Sequence, residues 1–212
     1  MRSVPAAWRW AFVILITVVA LAVAVWPRED HGAPSVTATA AGPPAVSGGQ
    51  RAAAALADCP RPQSQTGPPA AGPLAGMVLE CLSDGRPIDL GAALAGRPAL
   101  LNLWAYWCEP CARELPAVQQ YANRAGDALT VLTVHSDPNE SRGLDRLREL
   151  GIHLPGVQDG DIKVRTALGV PQVLPISVLV RADGSIAKVL VQPFESADEV
   201  AAAVAQGLGV TA

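Results

Sequence analysis

No stretch of this 212-residue chain is strongly basic. Its lysines and arginines are scattered, and a formal net charge of −3 offers no electrostatic footprint for a nucleic acid. A second CxxC is missing too. The chain has four cysteines, but a zinc ribbon needs two such knuckles and only one occurs, so no metal site is expected. That one, Cys108 to Cys111, is followed by Ala112 rather than histidine, which excludes covalent haem attachment. Nothing in the residues calls for a bound cofactor, and no internal repeat is visible. His135 and His153 fall at a strand end and near a loop, where a lone histidine is expected at the surface.

Charge is absent from Ala11 to Trp26, which reads AFVILITVVALAVAVW. With Ala6 to Trp10 the apolar stretch reaches about 20 residues, enough for a bilayer core of ~30 Å. Trp8, Trp10 and Trp26 stand at its ends, where indole rings favour the headgroup zone. Arg2 and Arg9 precede the run, and positive charge ahead of a span favours a cytoplasmic N-terminus and an exported remainder. The expectation is a single-pass anchor in the cell membrane over residues 1–27, with the rest extracytoplasmic. The rival is a cleaved signal peptide: Ala20-Leu21-Ala22 and Ala22-Val23-Ala24 fit the small-x-small cleavage pattern. Both readings put the remainder in a compartment that permits disulfides.

Residues 28–73 are dominated by Ala, Pro, Gly, Ser and Thr and carry no apolar period of 2 or 3.6. They read as a flexible linker that buries too little apolar surface to offset its ordering entropy. Within it, Gln50 to Asp58 has helix-forming composition and would end near Pro60. Residues 74–212 read as one folded domain. Met77 to Leu82 and Arg86 to Asp89 form a hairpin around Ser83-Asp84-Gly85, and Leu90 to Leu94 a short turn or helix. Ala99 to Ala105 is nearly all apolar, as in a strand buried on both faces. A helix follows to about Ala125, then a second buried strand over Leu129 to Val134.

Between His135 and Gly160, Leu144, Leu147 and Leu150 recur at helical spacing, which predicts a helical insertion. Ile162 to Leu168 is a further short helix. Ile176 to Val180 and Ile186 to Val191 pair across Ala182-Asp183-Gly184. Ser196, with Glu199 at the capping-box position, opens a last helix that runs to about Leu208. The order describes an α/β domain whose central mixed sheet has helices on both faces.

Trp107-Cys108-Glu109-Pro110-Cys111 carries the chemistry. Cysteines at i and i+3 in a first helical turn lie on one face, close enough to bond. The helix start aims unpaired N–H groups and partial positive charge at Cys108, which favours the thiolate that attacks disulfides. Pro110 sits where a first turn tolerates proline. Cys59 and Cys81 remain. An even cysteine count in an exported chain favours pairing, and a bridge would close a loop of about 22 residues worth roughly 3 kcal/mol in the chain-entropy model. A second redox pair, or a buried Cys81 beside a free Cys59, are the alternatives.

Leu101-Asn102-Leu103-Trp104-Ala105-Tyr106-Trp107-Cys108-Glu109-Pro110-Cys111-Ala112-Arg113-Glu114-Leu115-Pro116 resembles the active-site stretch of the membrane-anchored thioredoxin-like proteins of the TlpA/ResA group. Leu174-Pro175, followed nine residues on by Gly184, is similar to that group's cis-proline and Asp-Gly turn. The insertion from about His135 to Gly160 is similar to the strand-and-helix piece the group adds to the thioredoxin core. The loop before Pro175 is one residue longer than the group's pattern, with Pro171 as a neighbouring candidate.

The resemblance implies a thioredoxin-like three-layer sandwich and a protein thiol–disulfide oxidoreductase. Cys108 would be the attacking thiol and Cys111 the resolving one. Pro175 would be cis, leaving the Leu174 backbone to pair with an extended substrate; the plain alternative is a trans proline opening a strand. Trp107 and Pro110 would contact substrate, while Trp104 packs in the core. Asn102 stands where thioredoxin has a buried aspartate and cannot take its proton. Glu109 would take that role, or it is a solvated acid complementing the helix dipole. The implied substrates are protein disulfides, apocytochrome c among them, and the implied electron donor is a membrane thiol transporter of the CcdA type. An oxidant of exported proteins and a non-catalytic binding module are the alternatives.

Overall fold

The computed structural model describes residues 17–19, 46–62 and 72–211. The anchor expected over residues 1–27 lies outside these apart from 17–19, which are helical. Among the described residues no helix is long and apolar enough to cross a membrane. The chain divides into two compact units, Met1–Ala41 and Gly42–Ala212, and the second holds every described strand.

That unit runs α1 (Gly48–Ala54), β1 (Val78–Cys81), β2 (Pro87–Asp89), α2 (Leu90–Leu94), β3 (Ala99–Trp104), α3 (Glu109–Ala125), β4 (Thr130–His135), α4 (Glu140–Glu149), β5 (Gly156–Gln158), α5 (Lys163–Leu168), β6 (Ile176–Val180), β7 (Ile186–Leu190) and α6 (Ala197–Leu208). The strands form one mixed sheet in the order β2-β1-β5-β4-β3-β6-β7. β3, β4 and β5 run parallel, and the other pairings are antiparallel. This is a thioredoxin-like α/β fold.

β3 is buried along its whole length, and its side chains alternate between two cores. Leu100 and Trp104 join Leu115, Val118, Val200 and Val204 on the side of α3 and α6. Leu101 and Leu103 join Leu90, Leu94, Leu132 and Val164 on the side of α2 and α5. Burial of that many large aliphatic side chains, at roughly 1.5–3 kcal/mol each, is what holds the three layers. The last helix begins as its sequence predicts, with Ser196 Oγ accepting from Glu199 N at 3.3 Å. Glu199 reaches back one residue further than a capping box requires, its Oε2 accepting from Glu195 N at 2.9 Å.

Two segments differ from the sequence reading. The insertion is not wholly helical, as the leucine spacing predicts, but the strand-and-helix piece that the resemblance implies. It also supplies β5, parallel to β4 and antiparallel to β1, which joins the first hairpin to the core sheet. Gly156 permits that pairing, since a Cβ there would fall 2.5 Å from Thr133 Oγ1. The second segment is residues 46–62, inside the stretch read as linker, which fold onto the domain. Ser47 caps α1, and Gln50 Nε2 donates to Ser141 Oγ at 2.7 Å. Arg51 Nη1 pairs with Glu140 Oε1 at 2.6 Å and also donates to Leu82 O at 3.0 Å. An Ala-rich helix has little apolar signal of its own; it orders here because α4 supplies a partner for Ala54 and polar caps for its flank.

Candidate active site

β3 ends at Trp104, and four residues later Cys108 is the N-cap of α3, in extended conformation. The backbone N–H of Cys111 donates to Cys108 Sγ at 3.3 Å. The sulfur thereby fills the place of the capping oxygen that a helix start otherwise takes from Ser or Asp. Cys108 and Cys111 are joined as a disulfide with Cα atoms 5.3 Å apart. Cys111 is fully buried and Cys108 is 4% exposed. Glu109 and Pro110 fill the first turn between them, Pro110 half-buried.

The Leu174–Pro175 peptide is cis. Pro175 is buried, Leu174 is half-buried against the core cluster that contains both active-site cysteines, and Pro171 lies exposed in the preceding loop. Trp107 is the rim: the residue is 61% exposed, and its indole N–H donates to Asp137 Oδ2 at 2.9 Å. Trp104 is fully buried.

Glu109 and Glu114 have opposite settings. Glu109, the acid between the cysteines, has a side chain 68% exposed that pairs with Arg146 at 3.3 Å and Arg113 at 3.9 Å. The solvated arrangement is the one it adopts. Glu114, one turn beyond Cys111 on the buried face of α3, is fully buried. Burial pushes its carboxyl up to about 7, against the opposing hydrogen bonds from Asn102 Nδ2 at 3.1 Å and Phe194 N at 3.3 Å. Asn102 is buried as well and donates also to Ser177 Oγ at 3.3 Å. The sequence reading passed over Glu114. Its signal was an acid in register with Cys111, Leu115 and Val118 on the apolar stripe of the helix.

Cys59 and Cys81 form a second disulfide, with Cα atoms 6.0 Å apart, that ties residues 46–62 to β1. His153 lies at the surface as expected, its Nδ1 within 3.0 Å of Ala55 O. His135 does not: as the last residue of β4 it is completely buried, because the insertion folds over that strand end. Among the described residues no three His, Cys, Asp or Glu side chains converge on a point that could hold a metal ion.

A disulfide across a CxxC at the start of a long helix, together with a cis-proline and a buried acid on the same helix, defines a thioredoxin-like dithiol domain. The Redoxin family model matches residues 60–206, and the chain belongs to that family. It is 29% identical over 109 residues to the thiol-disulfide oxidoreductase ResA of Bacillus subtilis, covering 51% of this chain and 60% of that protein. It is 33% identical over 116 residues to ResA of Halalkalibacterium halodurans, covering 53% and 62%. The chain thus spans about three fifths of these relatives' length. Among solved structures it is similar to a secreted Mycobacterium tuberculosis disulfide oxidoreductase homologous to E. coli DsbE, at TM-score 0.54 and 28% identity over 62% of this chain and 96% of that one.

Proposed function

We propose that this protein is an exported, membrane-tethered thiol–disulfide oxidoreductase that works as a disulfide reductase. The observation that carries the reading is the Cys108–Cys111 pair at the start of α3, with Cys108 Sγ held by the Cys111 N–H. In the reduced protein that N–H and the helix dipole favour the Cys108 thiolate. The thiolate attacks one sulfur of a substrate disulfide; that bond breaks, and the substrate's other sulfur leaves as a thiolate. Cys111 then gives up its proton and attacks Cys108 Sγ, releasing the second substrate thiol and leaving the observed disulfide. Two electrons pass from the dithiol to the substrate.

Glu114, with its carboxyl near 7 and one turn from Cys111, is the buried group suited to take that proton. On this reading an extended substrate segment lies along Leu174–Pro175 and Trp107, which the cis peptide and the exposure of Trp107 support. The likeness to ResA and the TlpA/ResA pattern of the dithiol stretch support the reductant direction. They also support apocytochrome c cysteines as substrate and a CcdA-type membrane thiol transporter as donor. The charge-free run at residues 11–26 supports the tether.

Cys111→Ser tests the reading directly, because a mixed disulfide on Cys108 then cannot resolve. Trapped cytochrome precursors are the expected result. A broad set of exported proteins in the trap would reverse the direction to oxidant, and no adduct at all would remove the enzymatic reading.

A further inference from the structure

His135 takes no part in the exchange, yet it is built into the site's edge. Its ring lies against Trp104, with centroids 4.8 Å apart. It also lies beneath α4, where a Cβ on Gly143 would come within 2.8 Å of it. Its Nδ1 is 2.8 Å from Gln158 Oε1. A carboxamide oxygen only accepts, so the hydrogen is assigned to Nδ1. Gln158 Nε2 donates in turn to Asp137 O at 2.6 Å. The Asp137 carboxylate accepts the Trp107 indole N–H through Oδ2 and the Asn139 backbone N–H through Oδ1 at 2.8 Å. Two sets of hydrogen bonds, joined through the covalent frame of Asp137, thus lead from a buried strand end, through the insertion, to the exposed ring beside Cys108.

The other ring nitrogen argues that this connection is what the histidine is for. Nε2 is buried with no partner among the described residues. Leaving it so costs free energy, and phenylalanine would fill the space between Trp104 and Gly143 without that cost. What phenylalanine lacks is the Nδ1–H. Burial lowers the imidazole pKa against the opposing pull of Gln158 and Asp137, which keeps the ring in the neutral form that this geometry uses.

We propose that His135 is a positioning residue: through Gln158 it fixes the Asp137 loop, and Asp137 fixes the Trp107 ring against which a substrate segment lies. The inserted segment thereby shapes the substrate's seat on the dithiol loop. The proposal rests on the reading of Trp107 as substrate rim.

The test uses the full chain and begins with a signal that needs no catalysis. The Trp107 indole N–H resonance, assigned by its loss in Trp107→Phe, reports the bond to Asp137. His135→Phe keeps the ring packing without the donor, and Gln158→Met keeps the volume of a half-buried side chain without either bond. In both, the indole resonance is expected to move toward that of free indole. KM for a short peptide with an internal disulfide should rise about five-fold, the effect of losing one ordinary hydrogen bond. kcat and the rate with a small aromatic disulfide should be unchanged. His135→Asn, whose amide N–H takes the place of Nδ1–H, should restore most of the KM. An unmoved resonance in folded Gln158→Met, or equal losses on the peptide and the small disulfide, would overturn the proposal. If His135→Phe does not fold, Gln158→Met decides alone. A wild-type protein that exchanges with neither disulfide would sink the oxidoreductase reading instead and leave the resonance test intact.

Discussion

Cys108–Cys111 spans three residues at the start of a 17-residue helix, whereas Cys59–Cys81 spans 22 and joins a loop to a strand. Both pairs are buried to a similar degree. The surroundings differ. Cys108 has a backbone N–H on its sulfur, a helix dipole behind it, an exposed indole beside it and a buried acid one turn past its partner. Cys59 and Cys81 belong to the core cluster of Leu74, Leu79 and Leu90, and neither caps a helix among the described residues. Burial alone therefore does not separate a working disulfide from a staple. What separates them is whether one sulfur can be stabilised as an anion and approached by another molecule.

The largest expected effect breaks the first pair. Cys108→Ser should reduce exchange with any disulfide to background while leaving the urea unfolding midpoint of the reduced protein nearly unchanged. If activity survives, the two bridges have been assigned the wrong way round. Cys59→Ala with Cys81→Ala should do the converse: a loss of about 3 kcal/mol in unfolding free energy at an unaltered exchange rate.

Glu114→Gln comes next. The folded protein holds this carboxyl at about 7, above its ordinary 4.5. Below about pH 4.5 the group's stabilising contribution is complete, and it is lost as pH rises through 7. Wild type should therefore lose up to about 3 kcal/mol relative to Glu114→Gln over that window in pH-dependent unfolding. Its exchange rate should show an inflection near 7 that the variant lacks. Parallel stability curves would place the carboxyl in water.

Arg51→Ala removes a largely shielded ion pair and two backbone contacts, to Cys81 O and Leu82 O. It should destabilise by about 2 kcal/mol with exchange kinetics intact. Glu109→Gln is the smallest. Its ion pairs are exposed, so less than about 0.5 kcal/mol is expected in unfolding, with little change in rate. A large rate effect there would return the proton-accepting role to the acid between the cysteines.

Much of the domain was legible because its signals are local. The apolar run of β3, the turn at Ser83-Asp84-Gly85, the cap at Ser196 and the spacing of Pro175 from Gly184 can each be read within a dozen residues. What escaped was tertiary. Gly156-Val157-Gln158 is too short to show a period of two, and it is a strand only because β1 and β4 flank it. His135 was expected at the surface because a strand end next to a loop normally is exposed; here the loop continues into α4 and covers it. Residues 46–62 have the composition of a tether and fold because α4 and the first hairpin receive them. Glu114 could have been found: a carboxylate on the apolar stripe of a helix, one turn from a reactive cysteine, is out of place unless the site uses it.

The route of the covalent chain through Cys59 and Cys81 also bears on mechanics. A pull arriving from the N-terminal side first meets the Arg51–Glu140 contact and the capped helix α1, and then crosses directly from Cys59 to Cys81 through the sulfur bridge. Everything between those two residues is bypassed by the covalent path, and load enters the sheet at Cys81, the last position of β1, where the pairings with β2 and β5 share it.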